Sequence, residues 1–446
     1  MEEFFHSVTL DKDKCMGCTN CIKRCPTEAI RVRNKKAFII KERCIDCGEC
    51  IRVCPHHAKK PIYDHLEDVL GRYEYCVALP APALYAQFNN LDDVDIVLNA
   101  LIMLGFDDVY EVARAAEMVS DSTRRLMAQG NLKKPIISSA CPAVTRLIRV
   151  RFPGLVDNVL PLNAPVEVAA RLAKREAAEK TGLSPEKIGA VFISPCAAKV
   201  TASKMPLGTG KSQVSAVVAI SEVYPKLLHC MKQVKEPKEL SSAGKIGVNW
   251  GSSTGEASAL LNDNYLAADG IENVIKVLED LEDEKFGNLD FIELNACNAG
   301  CVGGVLTVEN PYIARTKLKR LRKYLPVSLN HVDQIPPEAR WDVPLEYAPV
   351  LKLDPDMGRA LSKLEQMEEI ERSLPGLDCG SCGAPSCKAL AEDVVRGSAS
   401  PDDCIFKFKE NMTSLFSELH RLEGLIPPSY LKNSAGGEKE DSDDAD

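Results

Sequence analysis

Eighteen cysteines lie in this 446-residue chain, and sixteen of them fall into groups. Eight occupy residues 15–54 and four occupy residues 379–404. Four more are scattered over 160 residues in three short contexts: Ser-Ser-Ala140-Cys141-Pro-Ala, Ser194-Pro-Cys196-Ala-Ala-Lys199 and Asn295-Ala-Cys297-Asn-Ala-Gly-Cys301-Val-Gly-Gly. Four converging thiolates hold iron–sulfur clusters or zinc. None of the three short contexts is a metal motif alone; together they read as one cluster site assembled from distant loops. Cys76 and Cys230 are left over and read as buried thiols.

The first group has the most specific spacing. Cys15-Met-Gly-Cys18-Thr-Asn-Cys21-Ile-Lys-Arg-Cys25-Pro26 and Cys44-Ile-Asp-Cys47-Gly-Glu-Cys50-Ile-Arg-Val-Cys54-Pro55 repeat C-x2-C-x2-C-x3-C-P. In such a pair the fourth cysteine of each run ligates the other cluster. One 4Fe–4S cluster is therefore expected on Cys15, Cys18, Cys21 and Cys54, and a second on Cys44, Cys47, Cys50 and Cys25. Three cysteines at this spacing wrap one cubane, while the proline stops a helix and sends the fourth ligand across. Zinc modules do not use this spacing. The intervening AIRVRNKKAFII predicts two short strands around a turn at Asn34-Lys35-Lys36. The segment resembles a bacterial two-cluster ferredoxin.

Near the other end, Cys379-Gly-Ser-Cys382-Gly-Ala-Pro-Ser-Cys387 sits in a Gly/Pro/Ser loop. A helix over KALAEDVVRG then returns the chain to Cys404. Four thiolates also suit tetrahedral zinc, which stays open as an alternative. The run DCGSCGAPSC resembles the small 4Fe–4S module appended to redox proteins, and a third such cluster is the expectation. The flanking helical patterns, MGRALSKLEQMEEIERSL and FKFKENMTSLFSELHRLEGLI, are expected to pack together or to form a docking or dimerisation surface.

The elements that must position the scattered cysteines alternate in type. YCVALPAP, KPIISSACP, IGAVFISPC, KIGVNW and FIELNAC read as buried strands. Between them PVEVAARLAKREAAEKTG and AISEVYPKLLHCMKQV have helical periodicity. This predicts an α/β domain with largely parallel sheets, whose ligands bind beyond the carboxyl ends of the strands. The cysteine contexts sit at such ends. PLGTGKSQV is not a P-loop, because Met205 stands where the first glycine belongs. VNWGSSTGEAS lacks a dinucleotide-binding spacing and is expected to make a tight turn near the cofactor. His56 and His57 read as surface residues.

The three cysteine contexts resemble the signature segments of the iron-only (FeFe) hydrogenases, over nearly residues 10–350. The order, two-cluster ferredoxin head and then α/β body, also matches. The resemblance implies that Cys141, Cys196, Cys297 and Cys301 hold a 4Fe–4S cubane. It implies too that Cys301 bridges to a two-iron subsite carrying carbon monoxide, cyanide and a dithiolate with a bridgehead amine. On the same resemblance, Lys199 donates to an iron-bound cyanide and Pro82 belongs to another pocket wall. Hydrogen and protons are then the implied substrates, and maturation proteins insert the subsite. The hydrogen couple lies at about −410 mV at pH 7, from about 59 mV per pH unit. Low-potential 4Fe–4S relays fall in that region.

Several positions depart from the active pattern. Ala140 replaces the proton-relay cysteine, Ser194 and Asn295 replace two methionines, and Ala202 replaces a glutamate. The relay's next acids fall near Ser122 and Thr123, with Asp121 or Glu117 as substitutes. A positioned acid–base group contributes ~10²–10⁴-fold. The combination resembles sensory hydrogenases: slow reversible hydrogen oxidation and proton reduction, with electrons relayed through 4Fe–4S clusters to a redox or signalling partner. Two alternatives remain: a catalytic hydrogenase with another proton path, and a non-catalytic hydrogenase-like iron–sulfur protein.

Composition sets the rest. The chain is 45% hydrophobic and 27% charged with net charge −9, and the final GEKEDSDDAD carries much of that charge. No basic stripe argues for nucleic acid and no apolar run is long enough for a membrane span. MEEFFHSVTLDKDKC has no features of a secretion signal, so a cytoplasmic protein rich in metal thiolates is expected rather than disulfides. The expected domains are 1–68 (ferredoxin-like, α+β), 69–350 (hydrogenase-like, α/β), 351–432 (helical cluster module) and 433–446 (disordered acidic tail).

Overall fold

The computed structural model describes residues 5–423; the acidic tail at 433–446 and the end of the last helical pattern lie outside them. The chain forms two compact units, Met1–Leu351 and Lys352–Asp446.

In the head of the first unit, β1 (Val8–Leu10), β2 (Ile30–Arg33), β3 (Lys36–Ile39) and β4 (Lys59–Pro61) form two antiparallel pairs, β1 with β4 and β2 with β3. Asn34 and Lys35 take φ of 51° and 60°. Such left-handed pairs make two-residue hairpin turns that follow the strand twist. The turn is therefore one residue shorter than the expected Asn34-Lys35-Lys36, and Lys36 opens β3.

The head is fastened to the body through backbone-rich contacts. Ser7 donates its N–H to Thr201 Oγ1 at 3.2 Å and its hydroxyl to the Ala197 carbonyl at 2.7 Å. Asp64 and Val217 are joined by one backbone bond of 2.8 Å and one from the Val217 N–H to the Asp64 carboxylate at 2.9 Å.

The body contains β5 (Tyr75–Pro80), β6 (Asp108–Val109), β7 (Ile136–Ile137), β8 (Ile188–Ser194), β9 (Ala216–Ala219), β10 (Tyr265–Asp269) and β11 (Phe291–Asn295). They make two parallel sheets, ordered β6-β5-β8-β9 and β10-β11-β7. Every residue of β8 is buried, which explains its unbroken apolar run. Helices Val112–Gln129, Pro165–Thr181 and Ile220–Met231 belong to the same body.

One expected strand is a helix. KIGVNW forms the single turn Lys245–Asn249. The carboxylate of buried Glu117 accepts the N–H groups of Gly244 (2.8 Å) and Gly247 (3.4 Å), while Lys245 and Ile246 donate to Pro326 and Val327. Those N–H groups are taken before a neighbouring strand can use them. A Cβ on Gly247 would lie 2.1 Å from the Ala113 carbonyl oxygen, so the turn seats directly on the helix backbone.

In the second unit, helix Met357–Ser373 packs on helix Cys387–Val395. The last helix, Ile405–Glu423, keeps Ile405, Phe408, Leu415, Leu419 and Leu422 exposed. Of the two flanking helices, the first thus packs on the short helix between them. Among the described residues no helix is long and apolar enough to cross a membrane.

Candidate metal centres

The head encloses two thiol-lined cavities. Cys15, Cys18, Cys21 and Cys54 line one, and Cys25, Cys44, Cys47 and Cys50 line the other. Each cavity thus draws three cysteines from one run and the fourth from the other. Short helices Asn20–Lys23 and Glu49–Arg52 carry Cys21 and Cys50. The N–H groups of Ala29 and Ala58 donate to Cys25 (3.2 Å) and Cys54 (3.3 Å), and that of Ala37 to Cys15 (3.4 Å). Sulfur-directed N–H groups favour an anionic cluster over neutral thiols. Burial pushes the Cys50 thiol up to about 12. A cluster that takes these sulfurs as thiolates fits such a donor set.

The second cavity is the one beside the body. Ile45 and Cys47 share an apolar cluster with Cys141, Cys196 and Ala198. A Cβ on Gly48 would meet Val305 at 2.7 Å, and Arg52 donates to the Gly303 carbonyl at 3.1 Å. The body's cysteine site thus lies next to the Cys25/Cys44/Cys47/Cys50 cavity.

The scattered cysteines follow strand ends as the topology requires. Cys141 and Cys196 each occupy the residue before a helix, Pro142–Arg151 and Ala197–Lys204, and the Cys297–Cys301 loop leaves β11. Burial and neighbouring sulfurs raise all three thiols Cys141, Cys196 and Cys297, Cys196 to about 11. Lys199 donates to Cys301 Sγ at 3.2 Å, and the thiolates of Cys301, Cys196 and Cys141 raise its pKa against the effect of burial. Four neighbouring sulfurs with one ammonium among them fit a cubane with a further anionic group beside Cys301.

Glycines let the loops approach. Gly300 has φ +88°, and a Cβ there would lie 2.4 Å from the Ser253 nitrogen. A Cβ on Gly304 would lie 2.0 Å from the Pro195 carbonyl oxygen. The glycine-rich VNWGSSTGEAS segment docks on the same loop, with Ser253 donating to Ala299 and Val302 donating to Gly251.

Beside Cys301 lies a cavity that also meets Lys199, Pro82, Ala140 and Asn295. Ser194 does not reach it. Its hydroxyl closes on the backbone of Cys196, accepting the N–H at 3.2 Å and donating to the carbonyl at 3.0 Å. Ala202 lines an adjoining cavity that shares Lys199 and Phe192 with this one. Glu117 and Asp121 are not on the cavity wall. Glu117 accepts from Gly244, Leu329 and Asn330, and Asp121 accepts from Val332 and Arg124, so both hold backbone together.

Two acids that sequence reasoning passed over do line the cavity: Glu256 and Glu293. Ser138 donates its hydroxyl to Glu256 and accepts the Ala140 N–H at 3.2 Å. Glu293 accepts from Thr254 N–H (2.9 Å), Ala257 N–H (2.8 Å) and Asn295 Nδ2 (2.7 Å). Burial, with the neighbouring Glu293 charge, pushes Glu256 up to about 8; burial raises Glu293 to about 7 despite its donors. The available signal was an acid inside the buried strand FIELN, which has to be neutral or paired.

In the second unit, Cys382, Cys387 and Cys404 share a small core with Leu374, Ala384 and Leu390, and Cys379 precedes them in the same loop. Asp378 accepts the Cys387 N–H at 2.6 Å.

Comparison with known proteins agrees with this organisation. The family model described as iron only hydrogenase large subunit, C-terminal domain, matches residues 74–261 and 227–305. A 4Fe-4S dicluster domain model matches residues 7–55, and an Fe-S cluster model matches 374–406. The periplasmic [Fe] hydrogenase large subunit of Nitratidesulfovibrio vulgaris is 30% identical over 215 residues, 44% of this chain and 50% of that protein. Iron hydrogenase 1 of Clostridium pasteurianum is 25% identical over 396 residues, 72% of this chain and 69% of that protein. The chain therefore spans half the length of the first relative. Among solved structures, a variant of apo [FeFe]-hydrogenase HydA1 from Chlamydomonas reinhardtii aligns with TM-score 0.45 and 16% identity, over 64% of this chain and 100% of that one. With a family match spanning more than half of its residues, the chain belongs to the iron-only hydrogenases, carrying a two-cluster ferredoxin head and a C-terminal iron–sulfur module.

Proposed function

We propose that this protein is a sensory-type hydrogenase that interconverts hydrogen with protons and electrons slowly, and that a redox or signalling protein reads its redox state. The observation that carries this reading is Ala140 on the wall of the Cys301 cavity. When bound, the two-iron group supplies heterolytic cleavage of hydrogen into a hydride and a proton. Cys141, Cys196, Cys297 and Cys301 would hold the adjoining cubane, and Lys199 would give its cyanide a cationic hydrogen-bond donor. Pro82, Phe192 and Trp250 keep the cavity apolar. The Ala140 methyl can neither take nor give a proton, which removes a contribution of ~10²–10⁴-fold. The head cysteines hold the carriers that take electrons outward, and maturation proteins must load the two-iron group.

A second reading, a working hydrogenase with another proton path, is favoured by Glu256 and Glu293 on the same wall. Both titrate near neutral pH, where a proton carrier is most effective. Infrared spectroscopy of matured protein tests both readings. Iron-bound carbonyl and cyanide bands that shift under hydrogen are expected. Their absence from matured protein would leave a non-catalytic iron–sulfur protein.

A further inference from the structure

Lys59 is 2% exposed, and its Nζ has no hydrogen-bond partner among the described residues. It lies on β4, opposite Leu10 of β1. Strand alternation turns its neighbour Lys60 outward to Asp11, at 2.8 Å, and turns Lys59 inward. Inward it lines the cavity of Cys15, Cys18, Cys21 and Cys54. Strand β4 also packs on the short helix Glu49–Arg52, which carries Cys50 of the other cysteine set, and the Lys59 charge opposes the effect of burial there. The buried guanidinium of Arg31, by contrast, donates to the carbonyls of Glu28 and Ile30. A buried ammonium with no acceptor is strongly disfavoured unless an anion lies beside it.

We infer that Lys59 is the internal counter-cation of the head, set between the two cysteine sites so that its charge raises the reduction potential of both clusters. This rests on the reading that both cavities hold 4Fe–4S clusters. A cluster gains negative charge on reduction, so a fixed cation nearby favours the reduced form. In a head that takes electrons from the hydrogen couple, that charge keeps both carriers reducible. Lys59 is a positioning residue: it acts on the clusters through its field and need not ligate them.

The test is an EPR-monitored redox titration of the full chain, its iron–sulfur clusters loaded, comparing wild type with Lys59→Met and Lys59→Arg. Iron analysis first asks whether the wild-type head holds two clusters; their absence would remove the underlying reading rather than the role of Lys59. With both present, Lys59→Met is expected to make reduction of two clusters at least tenfold less favourable, which is about 59 mV lower for one electron. The remaining clusters should be unmoved, and Lys59→Arg should restore the head. If Lys59→Met loses its head clusters while Lys59→Arg keeps them, charge compensation is supported again. Unshifted midpoints in Lys59→Met, or loss of clusters from both variants alike, would overturn the inference.

Discussion

The ammonium of Lys199 and the sulfur of Cys301 form a 3.2 Å hydrogen bond where two adjoining cavities meet. Removing one partner of a buried charged pair costs about 3–5 kcal/mol, chiefly by stranding the other. Lys199→Met should therefore keep its 4Fe–4S absorbance but retain much less of the two-iron group after maturation. Comparing iron content with infrared carbonyl intensity checks this. Full carbonyl bands in Lys199→Met would refute it.

Ala140 sets the expected response to a restored thiol. If proton exchange limits turnover, Ala140→Cys should raise hydrogen evolution with a reduced dye at least tenfold, toward the ~10²–10⁴ range of a positioned acid–base group. If Glu256 and Glu293 already carry the proton, Ala140→Cys adds little and Glu293→Gln lowers turnover by a similar factor. The two outcomes separate the sensory-type and working-enzyme readings.

Glu256 and Glu293 also predict how stability varies with pH. Folding raises them from an ordinary 4.5 to about 8 and about 7. The folded chain thus binds protons that the unfolded chain releases above about pH 4.5. Their stabilising contribution is complete below that pH and is lost as pH rises through about 7 and 8. Melting temperature measured anaerobically should fall between pH 6 and pH 9, less steeply in Glu256→Gln. An equal slope in both proteins would count against these buried acids.

Gly304→Ala should be severe although glycine brings no chemistry of its own. Its Cβ would meet the Pro195 backbone carbonyl at 2.0 Å, and no side-chain rotation relieves a backbone clash. Overpacking of this kind costs about 1–3 kcal/mol. The expected result is a lower melting temperature and loss of iron from the Cys141/Cys196/Cys297/Cys301 site, while the head keeps its clusters. Unchanged iron content per chain would exclude it.

The head was the most legible part, because ligand spacing within each run is local. Cys15, Cys18 and Cys21 must share a loop at that spacing, whatever the rest of the chain does. Strands β5 and β8 were legible for a related reason: a strand buried on both faces needs an unbroken apolar run. KIGVNW has a similar run but is a helical turn, since Glu117, Pro326 and Val327, far away in sequence, take the N–H groups of residues 244–247. The short, partly buried β10 carried too little pattern to be read.

The candidate ligands were a matter of residue type and spacing, and the sequence alone determined which they are: sixteen grouped cysteines, a lysine after Cys196, and an alanine before Cys141. What surrounds those ligands depended on which distant elements meet, and only the tertiary structure decided that. It placed Asn295 on the cavity wall but folded Ser194 back onto Cys196, and it used Glu117 and Asp121 as backbone anchors. It brought Glu256 and Glu293 to the wall beside Ala140. A side chain's burial and its partners are set by segments far apart in the chain, and local spacing carries no record of them.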